Sequence, residues 1–462
     1  MTNNWIPDLT SAAKPLYVAI TRALQDDISS GRLKPGDCLP THRDLADRLG
    51  VATGTVTRAY TEAERRGLVH GEGRRGTIVG ESPRGQFSLS SLMDAGSHIV
   101  DLSKNYPTYS EDPDLSAALR QIARRPETQH LLQYPHRSGV PHHRVAGAAW
   151  MRGMGLNVDP EAIQITAGAQ HGLAVVLPAV AGHGDTILAE EYTYPGVKAI
   201  AEMFGFRLVG IPMDGEGLIP EALESMCKQR QVRALFCNPT FQNPTGIVYT
   251  EERRRQIAEI AEKYDFIVVE DDIMRPLLPD PPPLISSLIP GRSCLIASTS
   301  KVLAAGVRVG FVAAPARLRS AINDCLRATT LVYAPLTAEV VAMWTSNGVL
   351  QQVLKRRRTE SKARQLIAEQ ILHGHFLGTH PVSSIVWLGL TEPWTTTQFT
   401  MEAQRRGVAV VPAETFAVSR TTSIRAVRLC LGAAPSREAL KTGLQVLAEM
   451  LKSSPRHDVE TI

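Results

Sequence analysis

The chain has 462 residues, 43% hydrophobic and 21% charged, a balance that excludes a disordered polypeptide. It is too long for one ordinary core, so two or three domains are expected. The formal charge of +4 argues neither for nor against nucleic acid, which leaves the decision to local charge distribution.

Six scattered cysteines with no C-x-x-C pair suggest neither a disulfide framework nor a zinc site, and no metal centre is expected. The opening residues lack a basic stretch followed by an apolar one, and the most apolar run, 173–181, is too short to span a bilayer. A cytoplasmic protein with no membrane segment is the expectation.

In chain order, Tyr17, Ile20, Leu24 and Ile28 recur at helical spacing before Gly31. Thr41 can cap a second helix that carries Leu45 and Leu49 and stops at Gly50. A third helix is predicted over 53–66. Leu68-Val69-His70 and Thr77-Ile78-Val79, joined by a glycine-rich basic turn, predict a hairpin. Three short helices and a hairpin make a winged helix-turn-helix over 1–80. Over 14–80, eleven basic residues face eight acidic ones, a small excess. Helix three would enter the major groove with Thr53 and Thr55 nearest the bases. Arg43, Arg58, His70, Arg74 and Arg75 are the other candidate DNA contacts, the arginines chiefly to phosphates.

Residues 81–98 lack periodicity and predict a linker. From about 99 to the end, strand-like runs at 162–166, 186–189, 234–237, 266–270 and 294–297 alternate with helical patterns. That alternation predicts an α/β domain with a largely parallel sheet, followed by a smaller α+β lobe.

Within this region several elements suit different atoms of one flat, phosphorylated ligand. A strand runs into Gly168-Ala169-Gln170, where a helix N-terminus would offer backbone N–H groups to a phosphate. Tyr194 follows the next strand and could stack on a heteroaromatic ring, or simply pack at the surface. Asn243, fixed by Pro244, could donate to a ring oxygen. Asp271 ends a very apolar strand, where α/β crevices form, and could pair with a protonated pyridine nitrogen or merely cap a helix. In Ser298-Thr299-Ser300-Lys301-x4-Gly306-x-Arg308, the serines and Arg308 can hold a phosphate while Lys301 reaches an aldehyde carbon. A lysine attacks a carbonyl only as the neutral amine, which a desolvated, cation-rich pocket promotes.

Two resemblances follow from these residues. Leu39-Pro40-Thr41-x-Arg43-x-Leu45-Ala46 and the Gly76-Thr77-x-Val79 close resemble the GntR family of winged helices, although Ala52-Thr53 replace that family's usual Ser-Arg. The order Gly168-Ala169-Gln170, Asn243, Asp271, Lys301, Arg308 resembles a fold-type I pyridoxal 5′-phosphate (PLP) aminotransferase domain. Together they resemble the MocR subfamily of bacterial regulators.

That resemblance implies Lys301 as the PLP Schiff-base lysine, Asp271 on the pyridine nitrogen, Asn243 on O3′ and Tyr194 on the ring face. Ser298, Ser300, Arg308, Ala169 and Gln170 would surround the phosphate. Arg428 would clamp an effector's carboxylate, and Tyr134 would reach a neighbour's phosphate in a homodimer. Aminotransferases of this family carry a tyrosine two or three residues after the ring-nitrogen aspartate, where this chain has Ile273 and Met274. Loss of that phenol favours a sensor of an amine or amino acid, working by imine exchange at Lys301 and controlling genes from a DNA operator. The alternative is an active aminotransferase. The effector's identity stays open.

Overall fold

The computed structural model describes residues 5–7, 9, 15–29, 32–34, 36–65, 68–71, 76–79, 99–108, 112–135, 139–419 and 424–453. The chain forms two compact units, Met1–Ala95 and Gly96–Ile462. The predicted linker and the wing tip with Arg74 and Arg75 lie outside the described residues.

The first unit holds α1 (Leu16–Ser29), α2 (His42–Leu49), α3 (Thr53–Arg65), β1 (Val69–Gly71) and β2 (Thr77–Val79). The i, i+4 spacing that marks α1 buries Ile20, Leu24 and Ile28 on one face, against Leu45, Val56, Tyr60, Val69 and Val79. Each such aliphatic side chain contributes about 1.5–3 kcal/mol on burial. Thr41 caps α2 by accepting from the Asp44 amide at 3.2 Å, and Gly50 ends it at φ 62°, where a side chain would be strained. The strands of the hairpin pair antiparallel, His70 opposite Ile78. Trp5, which the helical periodicity does not include, is buried in the same core, and its indole donates to Asp27 at 2.8 Å.

In the second unit the strands are β3 (Val100–Asp101), β4 (Ile163–Thr166), β5 (Thr186–Glu190), β6 (Arg207–Ile211), β7 (Met213–Asp214), β8 (Gly217–Leu218), β9 (Val232–Cys237), β10 (Ile267–Asp271), β11 (Ser293–Ser298), β12 (Gly310–Ala313), β13 (Phe376–Gly378), β14 (Ile385–Gly389), β15 (Val408–Ala409), β16 (Val411–Pro412) and β17 (Ala426–Cys430). Seven of them form one sheet in the order β4-β12-β11-β10-β9-β5-β6, parallel except for β12, which runs antiparallel to β11 and β4. Every residue of β4, β5, β10, β11 and β12 is buried, because helices cover both faces. That is why β5, β10, β11 and β12 carry apolar runs rather than alternating ones, whereas β4, Ile-Gln-Ile-Thr, buries Gln164 and Thr166 as well.

The smaller lobe is the antiparallel sheet β13-β14-β17-β16 with helices Thr396–Arg405 and Arg437–Leu451. Its core also takes Val100 and Leu102, and β3 pairs in parallel with β15. The segment that follows the linker region is therefore sewn into the C-terminal lobe, 300 residues later in the chain, a pairing no local pattern announces. Among the described residues no helix is long and apolar enough to cross a membrane.

Candidate cofactor and effector site

The C-terminal ends of β10 and β11 meet the turn after β4, which is where open α/β sheets form their crevice. At the end of β10 stand Glu270, Asp271 and, just past the strand, Asp272, all buried, with three different fates. Glu270 accepts from the Ile285 and Ser286 amides at 3.0 and 2.7 Å, so it, and not Asp271, caps a helix. Asp272 accepts from Thr240 at 3.0 Å and lies 3.7 and 3.5 Å from Arg254 and Arg275. Asp271 has no counterion of that kind. Its Oδ1 is buried without a hydrogen-bond partner, and burial pushes its carboxyl up to about 7. Asn238, immediately after β9, fixes the strand end by donating to the Asp271 carbonyl at 2.8 Å. The Asn238 amide in turn donates to buried Glu190 at 2.7 Å.

Lys301 follows β11. Desolvation lowers its amine to about 8, and the guanidinium groups of Arg428 and Arg308 push the same way. Its Nζ donates to the Asn105 carbonyl. Close to neutral pH such an amine is available as a nucleophile, which an exposed lysine is not.

The phosphate side is a tight cradle. Arg308, itself at φ 52°, donates to Ser300 Oγ at 3.1 Å and to the Ala167 carbonyl at 3.2 Å. Ser298 Oγ is bonded to Ser300 Oγ at 3.1 Å. Helix Ala169–Val180 begins here with Gly168 as its N-cap. Gly168 sits at φ 88°, and a Cβ there would come within 2.6 Å of the Arg308 guanidinium. The glycine thus lets Arg308 close on a helix N-terminus, a pairing of cation and free amides made for an anion. Gln170 reaches the Gly196 carbonyl at 3.3 Å, while its Oε1 is buried and unpartnered. Tyr194 precedes helix Pro195–Phe204; burial raises its phenol, and Asp271 adds to that shift.

On the third side stands Arg428 of β17, 7% exposed. It donates to Asn243 Oδ1 at 3.0 Å and to the Ser103 carbonyl, and it lies 4.8 Å over the Phe416 ring. Asn243 and Arg428, assigned separately to a ring oxygen and to a carboxylate, are in contact with each other. Met274 is buried in the core and accepts a long contact from Asn105 Nδ2 at 3.9 Å, and Ile273 packs against the same core. Apolar side chains therefore stand at the two positions after Asp271 where the aminotransferase tyrosine is expected. Tyr134 is 79% exposed.

Sequence reasoning missed Asn238, Glu190, Phe416 and the carbonyls of Ser103 and Asn105. Only Asn238 carried a signal, its place just past the end of a buried parallel strand. Clefts of about 390 and 440 Å³ lie elsewhere, around Tyr333 and around Pro290, so charge and geometry rather than volume mark this site.

In the first unit Thr53 and Arg43 are exposed and Thr55 half-buried. Arg58 is exposed too, with its guanidinium 4.8 Å above the Tyr17 ring, so it also ties α3 to α1.

Comparison with known proteins fits this geometry. Residues 97–447 match the model for aminotransferase class I and II, and residues 16–79 match that for bacterial regulatory proteins of the gntR family. The uncharacterized HTH-type transcriptional regulator YdeF of Bacillus subtilis is 28% identical over 97% of both chains. The pyridoxine biosynthesis transcriptional regulator PdxR of Corynebacterium glutamicum is 27% identical over 79% of this chain and 82% of that protein. The kynurenine aminotransferase of Pyrococcus horikoshii superposes with a TM-score of 0.71 at 26% identity, over 80% of this chain and 95% of that one.

The cofactor of class I and II aminotransferase domains is PLP, and the residues present fit it. A protonated pyridine nitrogen would satisfy the orphaned Asp271 Oδ1, and a phosphate dianion would meet Arg308 and the amides after Gly168. Lys301 would supply the amine. The chain belongs to the class I and II aminotransferase family, joined behind a GntR-family helix-turn-helix in the arrangement of the MocR regulators, and is a PLP-dependent DNA-binding regulator of transcription.

Proposed function

We propose that the second unit is a detector for a small amine or amino acid, and that occupancy of its site alters how the first unit holds a DNA operator. When bound, PLP supplies an aldehyde carbon whose amine partner can be exchanged. Lys301 is then the amine that leaves and returns, a role supported by its desolvated Nζ with a pKa near 8. Asp271 would keep the ring nitrogen protonated, Asn243 would address the ring oxygen and Tyr194 would cover the ring. Ser298, Ser300, Arg308, Gly168, Ala169 and Gln170 hold the phosphate.

The single observation that carries the reading is Arg428. A guanidinium with a buried, unpartnered Nε stands in the same site as Lys301 and acts on its titration. An effector carrying both an amino and an acidic group would engage the two together.

The operator would be read by Thr53 and Thr55 and held by Arg43, Arg58, His70, Arg74 and Arg75. The protein works in the cytoplasm as a homodimer, with exposed Tyr134 reaching the partner's phosphate site. The apolar Ile273 and Met274 support a detector over a turnover catalyst, because no phenol stands there to move a proton.

The test is Lys301→Ala in the full chain. It is expected to lose both the visible PLP absorption and the response of DNA binding to amines. Retention of both overturns the proposal. Steady keto-acid production by wild type would favour the aminotransferase reading, which the likeness to catalytic relatives such as the aromatic-amino-acid aminotransferase of Thermococcus litoralis keeps in play.

A further inference from the structure

A second cluster of ligand-type side chains lies where helix Pro141–Gly153 packs on helix Pro335–Ser346. His142 and His143 head the first helix, and Glu339 lies one turn into the second. His142 Nε2 and His143 Nε2 both reach the same carboxylate oxygen, Glu339 Oε2, at 2.5 and 2.9 Å. We propose that His142, His143 and Glu339 form a site for a divalent cation of the Zn²⁺ class.

The ligand set is two imidazoles and one carboxylate, which suits Zn²⁺ with a fourth position left to water. The three donor atoms all lie within 4.8 Å of one another. A tetrahedral ion with bonds of about 2.0–2.2 Å spaces its donors roughly 3.3–3.5 Å apart, inside that envelope. The cluster would open slightly, mainly at His142, whose side chain is 57% exposed and can move.

The surroundings orient the ligands. Tyr333 Oη is 3.0 Å from His143 Nδ1 and accepts from the Val140 amide at 2.9 Å, so the ring is held with Nε2 toward Glu339. A partner on the other ring nitrogen is the usual support for a metal-bound histidine. Arg125 takes Glu339 Oε1 and leaves Oε2, the oxygen both imidazoles address.

Two features oppose binding: the Arg125 charge and the helix N-terminus under the histidines, each of which repels a cation. The site should therefore bind with modest affinity and tighten when Arg125 is neutralised. A bound ion would cross-link the two helices outside the PLP site.

The experiment takes the PLP-loaded full chain without an affinity tag, strips it with a chelator and titrates it with Co²⁺ and Zn²⁺. Expected are a single equivalent of Co²⁺ per chain with visible d–d absorption, and a higher melting temperature with Zn²⁺. His142→Ala, an exposed position whose loss leaves the fold intact, should weaken Zn²⁺ by at least about tenfold, as should Glu339→Gln. Arg125→Gln should bind more tightly than wild type. Absence of the Co²⁺ band, or equal binding by wild type and His142→Ala, overturns the site and leaves a hydrogen-bonded clasp.

Discussion

Two groups of charges lie back to back at the end of β10, and they are built on opposite plans. Behind the sheet, Arg254 and Arg275 face Glu270 and Asp272, two cations against two anions, and Arg254 also donates to the carbonyls of Tyr249 and Pro239 at 3.2 and 2.9 Å. In front, buried Asp271 shares a site with Lys301, Arg428 and the exposed Arg308, one carboxylate among three cationic side chains, and its Oδ1 has no hydrogen-bond partner among the described residues. The first group balances its own charge and serves the fold, although Arg254 Nη1, Arg275 Nη1 and Asp272 Oδ1 also lack hydrogen-bond partners among the described residues. The second carries an excess of positive charge and an unpartnered carboxylate oxygen, which a phosphorylated pyridine and an acidic effector would answer.

Substitutions should separate the two groups. The largest effect is expected from Arg254→Met. It leaves Glu270 and Asp272 buried with half their counter-charge, at a cost of about 3–5 kcal/mol in urea unfolding, with or without PLP. Asp271→Asn should do the reverse. It removes one charged hydrogen bond to the ring nitrogen, worth about 1.5–3 kcal/mol of PLP affinity, and leaves the PLP-free protein no less stable.

The same variant isolates a pH effect. The folded pKa of Asp271 is raised from 3.8 to about 7, so the native state binds its proton more tightly than the unfolded state does. Its contribution is fully present below pH 4 and is lost as pH rises through 7. Urea midpoints of PLP-free wild type should therefore fall, relative to Asp271→Asn, between pH 4 and 7. Arg428→Ala is the mildest of the three. It should still fold and take up PLP, yet weaken acidic amines by at least about tenfold in an absorption titration.

How much of this was legible in sequence follows from the range of the interactions. The winged helix is almost all local: the spacing of Ile20 and Leu24, the Thr41 cap and the Gly50 stop each act within one helix. The five runs gave five strands of the large sheet, since strands covered on both faces are mostly apolar, although β4 alternates as Ile-Gln-Ile-Thr. Lys301, Asp271 and Arg308 are candidates visible in sequence because strand ends and turns put such chemistry into short strings.

Contacts across the chain were not. The bond from Arg428 to Asn243 joins residues 185 apart, and Glu339 meets His143 across 196. The absence of paired cysteines spoke against zinc, but it is silent on a ligand set assembled from two histidines and a glutamate on separate helices. β3 is only two residues long and too short for a periodic signal, although it anchors the chain to the C-terminal lobe.

The account rests on Lys301 as the amine that carries PLP within reach of Asp271. Reducing the PLP-loaded full chain with borohydride and mapping the modified peptide tests it most directly. The label should fall on Lys301, and the Asp271→Asn chain should take up less of it at limiting PLP. A label on any other lysine, or none on wild type saturated with PLP, would contradict it.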